Sequence, residues 1–267
     1  MTGMAVAEIH PSAIVQGNVR LGEDVVVGPM ALLDGDIRLG AGCKVGPRVT
    51  MLGTVVAGEK NTFHNGCVIG DHPQHQGYAG EPTSVEIGSG NIFREFVTIH
   101  RGMPTSGGVT KLGDGNFLMA NSHVAHDALV GNKTVFANSA VIGGHAVVMD
   151  GAFLSGNTCV HQFCRVGPLA MLSGTSSVSM DLPPYWIVQG VNYVFGINVV
   201  GMRRAGIPNK EILAVRAAYK LITRSGQPIR TSVDQIEAEH GTLAAVRVLI
   251  DFIRSSKRGI CMGLADA

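Results

Sequence analysis

The 267-residue chain carries ten histidines, and four of them share a register. Val124, Ile142 and Val160 recur at one constant interval. His123 and His126 flank the first, His145 stands three residues after the second, and His161 directly follows the third. If the interval is one turn of a coil, the four imidazoles stack along one edge, within roughly two strand spacings, ~10 Å. Asn121, Asp127 and Gln162 join them. Three chemistries fit such an edge. The first is general base catalysis, because imidazole titrates near pH ~6.5. Asp127, next to His126, would hold and polarise the ring. A backbone N–H at Gly143–Gly144, one coil along, would hold the oxyanion of an ester or thioester under attack. The second is a zinc site, since imidazoles are common ligands of that ion. The third is structural, with the histidines hydrogen-bonded at an interface between subunits.

Such a stack needs a scaffold that repeats. Stepping by six from Ile9 meets Val15, Leu21, Val27, Leu33, Leu39, Val45, Met51, Ala57, Phe63 and Ile69, all apolar. Stepping by six from Leu112 meets Leu118, Val124, Val130, Phe136, Ile142, Val148, Leu154, Val160, Val166, Leu172 and Val178, again all apolar. Ile87, Phe93 and Ile99 form a shorter run between them. Period six fits neither an amphipathic helix nor a lone alternating strand. It fits a coil of three short strands and three corners. The periodic aliphatic points into a narrow triangular interior, and the glycines that often follow it spare the corner a Cβ clash. The expectation is a mainly β chain: a left-handed parallel β-helix of hexapeptide repeats over 1–190, roughly nine coils and ~40 Å long.

The register fails at 71–84 and again at 101–111. Both stretches are polar and contain Gly or Pro. They are read as loops leaving the prism, where binding groups usually sit. Pro183–Pro184 ends the repeats, and 191–267 reads as a C-terminal α-helical domain. Its first helix opens at Pro208–Asn209 with Asn209 as cap, its second at a Ser232–Gln235 capping box, and its third spans 243–255. One face of the first helix carries Arg216, Lys220 and Arg224 at i, i+4 spacing, a stripe suited to docking an acidic protein.

Composition narrows the classes. A hydrophobic share of 45% is too high for disorder. A net charge of +1 makes no case for nucleic acid or a membrane surface. No stretch reaches the ~18 continuous apolar residues of a membrane span, and no signal peptide is read at the N-terminus. The five cysteines, odd in number and without a CxxC pair, are expected to be reduced packing residues of a cytoplasmic chain.

Several motifs go further. NSHVAHD (121–127), TIHRG (98–102), YAGEPT (78–83), VHQF (160–163), DLPPY (181–185) and AYKLITRSG (218–226) resemble the UDP-N-acetylglucosamine 3-O-acyltransferases that begin lipid A biosynthesis. The likeness runs over nearly the whole chain. It implies a homotrimer with active sites in grooves between subunits, and neither metal nor organic cofactor. The donor would be a 3-hydroxyacyl thioester on acyl carrier protein, and the acceptor the glucosamine 3-hydroxyl of UDP-N-acetylglucosamine (UDP-GlcNAc). His126 matches the family's catalytic base, Asp127 the residue that orients it, and Gly144 the oxyanion donor. His123, His145, His161, Gln162, Asn198 and Arg204 match substrate contacts. Arg203 beside Arg204, and Gln74 and His75 in the first loop, are expected to join them. Gly174 matches a position said to measure the acyl chain, which implies a long donor, near fourteen carbons.

Three positions depart from the family pattern. Gly77 replaces a usual Lys, Val200 an acidic residue and Ala205 the second of an Arg pair. The alternatives are a related N-acyltransferase acting on a 3-amino UDP-sugar, a zinc hydratase and a non-catalytic scaffold.

Overall fold

The periodic aliphatics turn inward, as their spacing requires. The structure, a computed structural model, describes residues 7–262. Residues 1–6 of the expected prism and 263–267 of the expected helical domain lie outside the described residues. Every periodic position from Val27 to Val178 is buried, whereas Ile9 and Val15, on the first coil, are exposed.

The coils build a triangular prism, a left-handed parallel β-helix. Among the described residues, its first face is a sheet of eleven strands, of which only the last, Val194–Ile197, is antiparallel. The second and third faces share a fourteen-stranded sheet folded along one edge. Strands Ile14–Leu21, Leu32–Leu39 and Thr50–Ala57 run through that edge unbroken. They bend where Gly17, Gly35 and Gly53 lie in register. Beyond them both loops leave the prism at this same edge: 72–83 after Val68–Asp71, and 101–108 after Thr98–His100. The second loop is shorter than the sequence suggested, because Val109–Leu112 already pairs with Ser84–Ile87. Further along the folded edge come His126, Gly144 and Gln162.

The prism has about ten coils rather than nine. Trp186–Val188 pairs in register with Met171–Leu172, so the coil continues past Pro183–Pro184. At the corners, a Cβ on Gly143 would stand 2.7 Å from the Gln162 amide nitrogen of the next coil. Glycine there makes room between coils. The left-handed turn itself falls on other residues, among them Asp127, His145 and Phe163, with φ of 59°, 59° and 64°.

Among the described residues, four helices follow: α1 (Val199–Arg204), α2 (Asn209–Arg224), α3 (Ile229–His240) and α4 (Ala244–Arg254). The short α1 was not anticipated; Asn198 caps it by accepting the Gly201 N–H at 2.8 Å. Both caps read from the sequence are corrected. Pro208 and Pro228 stand at the N-caps of α2 and α3 without side-chain cap bonds. Asn209 is the first helical residue, Ser232 is buried with an unpartnered Oγ, and Gln235 bonds Glu239 at 2.9 Å. A proline with preset φ starts each helix, for α3 one turn before the Ser232 signal. The helices are clamped to the prism through Arg165, which is 2.8 Å from Asp181 and donates to the Phe252 carbonyl at 3.1 Å. Among the described residues, no helix is long and apolar enough to cross a membrane. All five cysteines are free thiols, but Cys159 is exposed on the second face rather than packed.

Candidate active site

Register brings His126, Asp127 and His145 together. His123–Val124 pairs with Val141–Ile142, and those with Cys159–Val160. Asp127, His145 and Phe163 therefore occupy one corner position on successive coils. His126 Nδ1 lies 2.7 Å from Asp127 Oδ2, and His145 Nε2 lies 3.8 Å from the same oxygen. The Met103 N–H donates to both Asp127 oxygens at 3.0 Å, and the Asp127 N–H donates to Thr110 Oγ1 at 2.8 Å. His126 and Asp127 are only 9% and 6% exposed. The ring is thus fixed with Nδ1 toward the carboxylate and Nε2 left free for chemistry.

Ligand atoms of His126, Asp127 and His145 lie within 4.8 Å of one another, so the trio has the composition of a metal site. The Asp127 oxygens, however, are already committed to N–H donors from Met103 and His126.

Gly144 lies under the His126 ring. A Cβ there would meet His126 Cε1 at 2.6 Å and Nε2 at 2.7 Å. The missing side chain brings the Gly144 backbone against the free nitrogen. Its N–H has no acceptor among the described residues, and neither do those of His126 and Gln162 at the same corner position. An open donor is the rule of this corner; the absent Cβ is what sets Gly144 apart.

The surroundings come from three sources. From the first loop, His75 sets its ring edge-on to His126, centroids 5.6 Å apart, and Gln74 is exposed beside it. From the next coils, Phe163 stacks flat on His145 at 4.4 Å, and His161 and Gln162 are exposed just beyond. Burial holds the His145 ring below its ordinary value, with Asp127 working against that shift. From the second face, His123 Nδ1 is 2.7 Å from Thr98 Oγ1. Burial, assisted by the neighbouring His100 and His126, pushes His123 down to about 4, so this ring is neutral near pH 7.

Other expected residues stand elsewhere. Gly174 lies at the edge between the first and second faces, in column with Ala120, Asn138 and Gly156. A Cβ on Gly174 would find nothing nearer than the Gly156 carbonyl oxygen at 3.8 Å, and its φ is not positive. The backbone therefore does not require glycine there. Asn198 donates to the Leu169 carbonyl at 2.8 Å. With Arg204, Lys133, Phe153, Met171 and Val200 it lines a cavity of about 670 Å³ on the first face. That face is opposite the folded edge, so within one chain neither these residues nor exposed Arg203 come to His126. Arg216, Lys220 and Arg224 are exposed along α2. Sequence reasoning missed Thr98, Thr110, Phe163 and the Met103 N–H. Phe163 was within reach, since it continues the Asp127–His145 interval; a backbone donor on a loop leaves no sequence signal.

Similarity to known proteins matches this geometry. Residues 110–144 match a bacterial transferase hexapeptide model, and 181–261 match domain 2 of UDP-N-acetylglucosamine O-acyltransferase. An acyl-(acyl-carrier-protein)–UDP-N-acetylglucosamine O-acyltransferase of Halorhodospira halophila is 45% identical over 253 residues, 94% of this chain and 98% of that protein. The chain belongs to this O-acyltransferase family. Its counterpart in Anaeromyxobacter is 44% identical over the same shares of both chains. Among solved O-acyltransferase structures, that of Bacteroides fragilis superposes with a TM-score of 0.91 at 36% identity, covering 94% of this chain and 99% of its own. That of Moraxella catarrhalis gives 0.90 at 35%, covering 95% and 99%. The family's prism and helical region are thus both present here.

Proposed function

We propose that this chain transfers a 3-hydroxyacyl group from the thioester of acyl carrier protein to the glucosamine 3-hydroxyl of UDP-GlcNAc, the first step of lipid A biosynthesis. The observation that carries this reading is the His126–Asp127 pair, 2.7 Å apart, with the free Nε2 against the Gly144 backbone. His126 Nε2 takes the hydroxyl proton as the sugar oxygen attacks the thioester carbon. Asp127 holds the Nδ1–H and offsets the charge that forms on the ring. The Gly144 N–H stabilises the tetrahedral oxyanion. As that intermediate collapses, the C–S bond breaks and the thiolate of the carrier leaves with the proton from His126. No metal or organic cofactor enters these steps.

Gln74, His75, His123, His145, His161 and Gln162 are assigned as substrate contacts around the folded edge. Gly174 is assigned to the acyl groove, and Asn198, Arg203 and Arg204 to contacts from the first face. One chain keeps these last three away from His126. A homotrimer with sites in the grooves between subunits joins the two sets, and we assign that assembly. The exposed Arg216, Lys220 and Arg224 form the docking stripe for the acidic carrier, and the free thiols suit the cytoplasm. The test is an acyl transfer assay with UDP-GlcNAc and a panel of hydroxyacyl carrier proteins, run beside the 3-amino form of the sugar. Turnover of the hydroxyl form supports the reading. Turnover of the amine alone turns it into N-acyl transfer, and turnover of neither removes it.

A further inference from the structure

Arg101 is 8% exposed, rare for an arginine, and its guanidinium is held by a carbonyl and a hydroxyl rather than a carboxylate. Nη1 donates to the Gly70 carbonyl at 2.8 Å, on the prism just before the first loop leaves it. Nε donates to the Tyr78 hydroxyl at 3.0 Å, inside that loop, and the guanidinium also lies over the Tyr78 ring at 5.4 Å. Tyr78 is in turn bound to the residue at issue: its backbone N–H donates to the His75 carbonyl at 3.1 Å. The His75 ring then stands against His126.

We infer that Arg101 is a positioning residue for acyl transfer, holding the 72–83 loop so that His75 is kept against His126. A buried cation needs its hydrogen bonds satisfied, and here satisfying them ties the loop to the prism. The same short stretch serves the other side of His126. Two residues on, the Met103 N–H grips both oxygens of Asp127. Gly102 between them has no room for a side chain: a Cβ would strike the Gly108–Val109 backbone and come 2.8 Å from Asp127 Oδ1. Residues 101–103 thus hold both neighbours of the base, His75 through Arg101 and Asp127 through Met103.

The inference rests on the assignment of His126 as base and His75 as a substrate contact. Its test is a double-mutant cycle on the full-length enzyme, reading kcat/KM for UDP-GlcNAc. Arg101→Ala and His75→Ala are each expected to lose roughly 10-fold to 100-fold, the scale of lost positioning. The double variant is expected to lose no more than the worse single, because both act through one group. Amide hydrogen exchange should rise in 72–83 of Arg101→Ala and stay unchanged in the strands at 123–160. If Arg101→Ala does not fold, Tyr78→Phe removes the same bond and carries the cycle with His75→Ala. Additive losses, unchanged exchange in the loop, or an unaltered kcat/KM in His75→Ala would overturn the inference. A fully active His126→Ala would instead overturn the base assignment, so the two failures read differently.

Discussion

Two regions meet at His126, and they are held in different ways. On the prism side, Asp127, Gly144 and His145 are placed by strand register, His123↔Val141 and Val124↔Ile142. Every coil repeats the same backbone ladder. On the loop side, His75 is placed by a turn of its own, with Gly77 N–H to its Nδ1 and Tyr78 N–H to its carbonyl, and by the Arg101–Tyr78 bond. The difference is one of rigidity. A ladder shared with two neighbouring coils cannot shift one residue without disturbing others, whereas a loop tied at few points can adjust to a ligand. The proposed base and oxyanion donor stand on the first kind of support; of the proposed substrate contacts, Gln74 and His75 stand on the second.

The strongest way to break this comparison is His126→Ala. It is expected to lose ~10²–10⁴ in turnover with the fold and the proposed trimer intact. Near-normal turnover would falsify the placement of the bond-making chemistry on the prism.

Gly174→Met asks whether the prism also sets chain length. Glycine is not needed there by the backbone, so the variant is expected to fold and to prefer a donor several carbons shorter. At about 0.8 kcal/mol per buried methylene, the shift in preference amounts to orders of magnitude. An unchanged chain profile, or an unfolded protein, ends the assignment.

A smaller effect sharpens the prism side through pH. His123 titrates near 4 in the folded chain, against ~6.5 unfolded. Between those values the unfolded chain binds a proton that the folded chain refuses. The stability is therefore fully present above pH ~6.5 and declines as pH falls toward about 4. At ~1.4 kcal/mol per pH unit the full effect is on the order of a few kcal/mol. His123→Gln should flatten that part of the Tm–pH curve. A curve of unaltered slope assigns the loss to other groups.

The smallest effect lies outside both regions. Reversing Arg216, Lys220 and Arg224 should raise KM for the carrier-bound donor severalfold at low salt. The difference should shrink at high salt, where exposed charges are screened. An unaltered KM at low salt leaves the stripe as a solvated helix face.

What the sequence determined by itself was whatever the period of six controls. The interior from Val27 to Val178, the stacking of His126 and His145, and the loops that interrupt the register all follow from counting, because a solenoid maps sequence separation directly onto distance. The AYKLITRSG and NSHVAHD motifs likewise marked the family. Three things were left to the tertiary structure. One is the sharing of a single edge by both loops and the histidines, which depends on which of three corners each insertion leaves. Another is the set of contacts around the proposed base and its neighbours: Met103 N–H on Asp127, Arg101 on Tyr78 and Thr98 on His123. Backbone donors and contacts between separate loops carry no periodicity. The last is helix starts. Asn209 and Ser232 have the chemistry of caps, and only the folded backbone shows that each helix starts instead from the proline before it, Pro208 or Pro228.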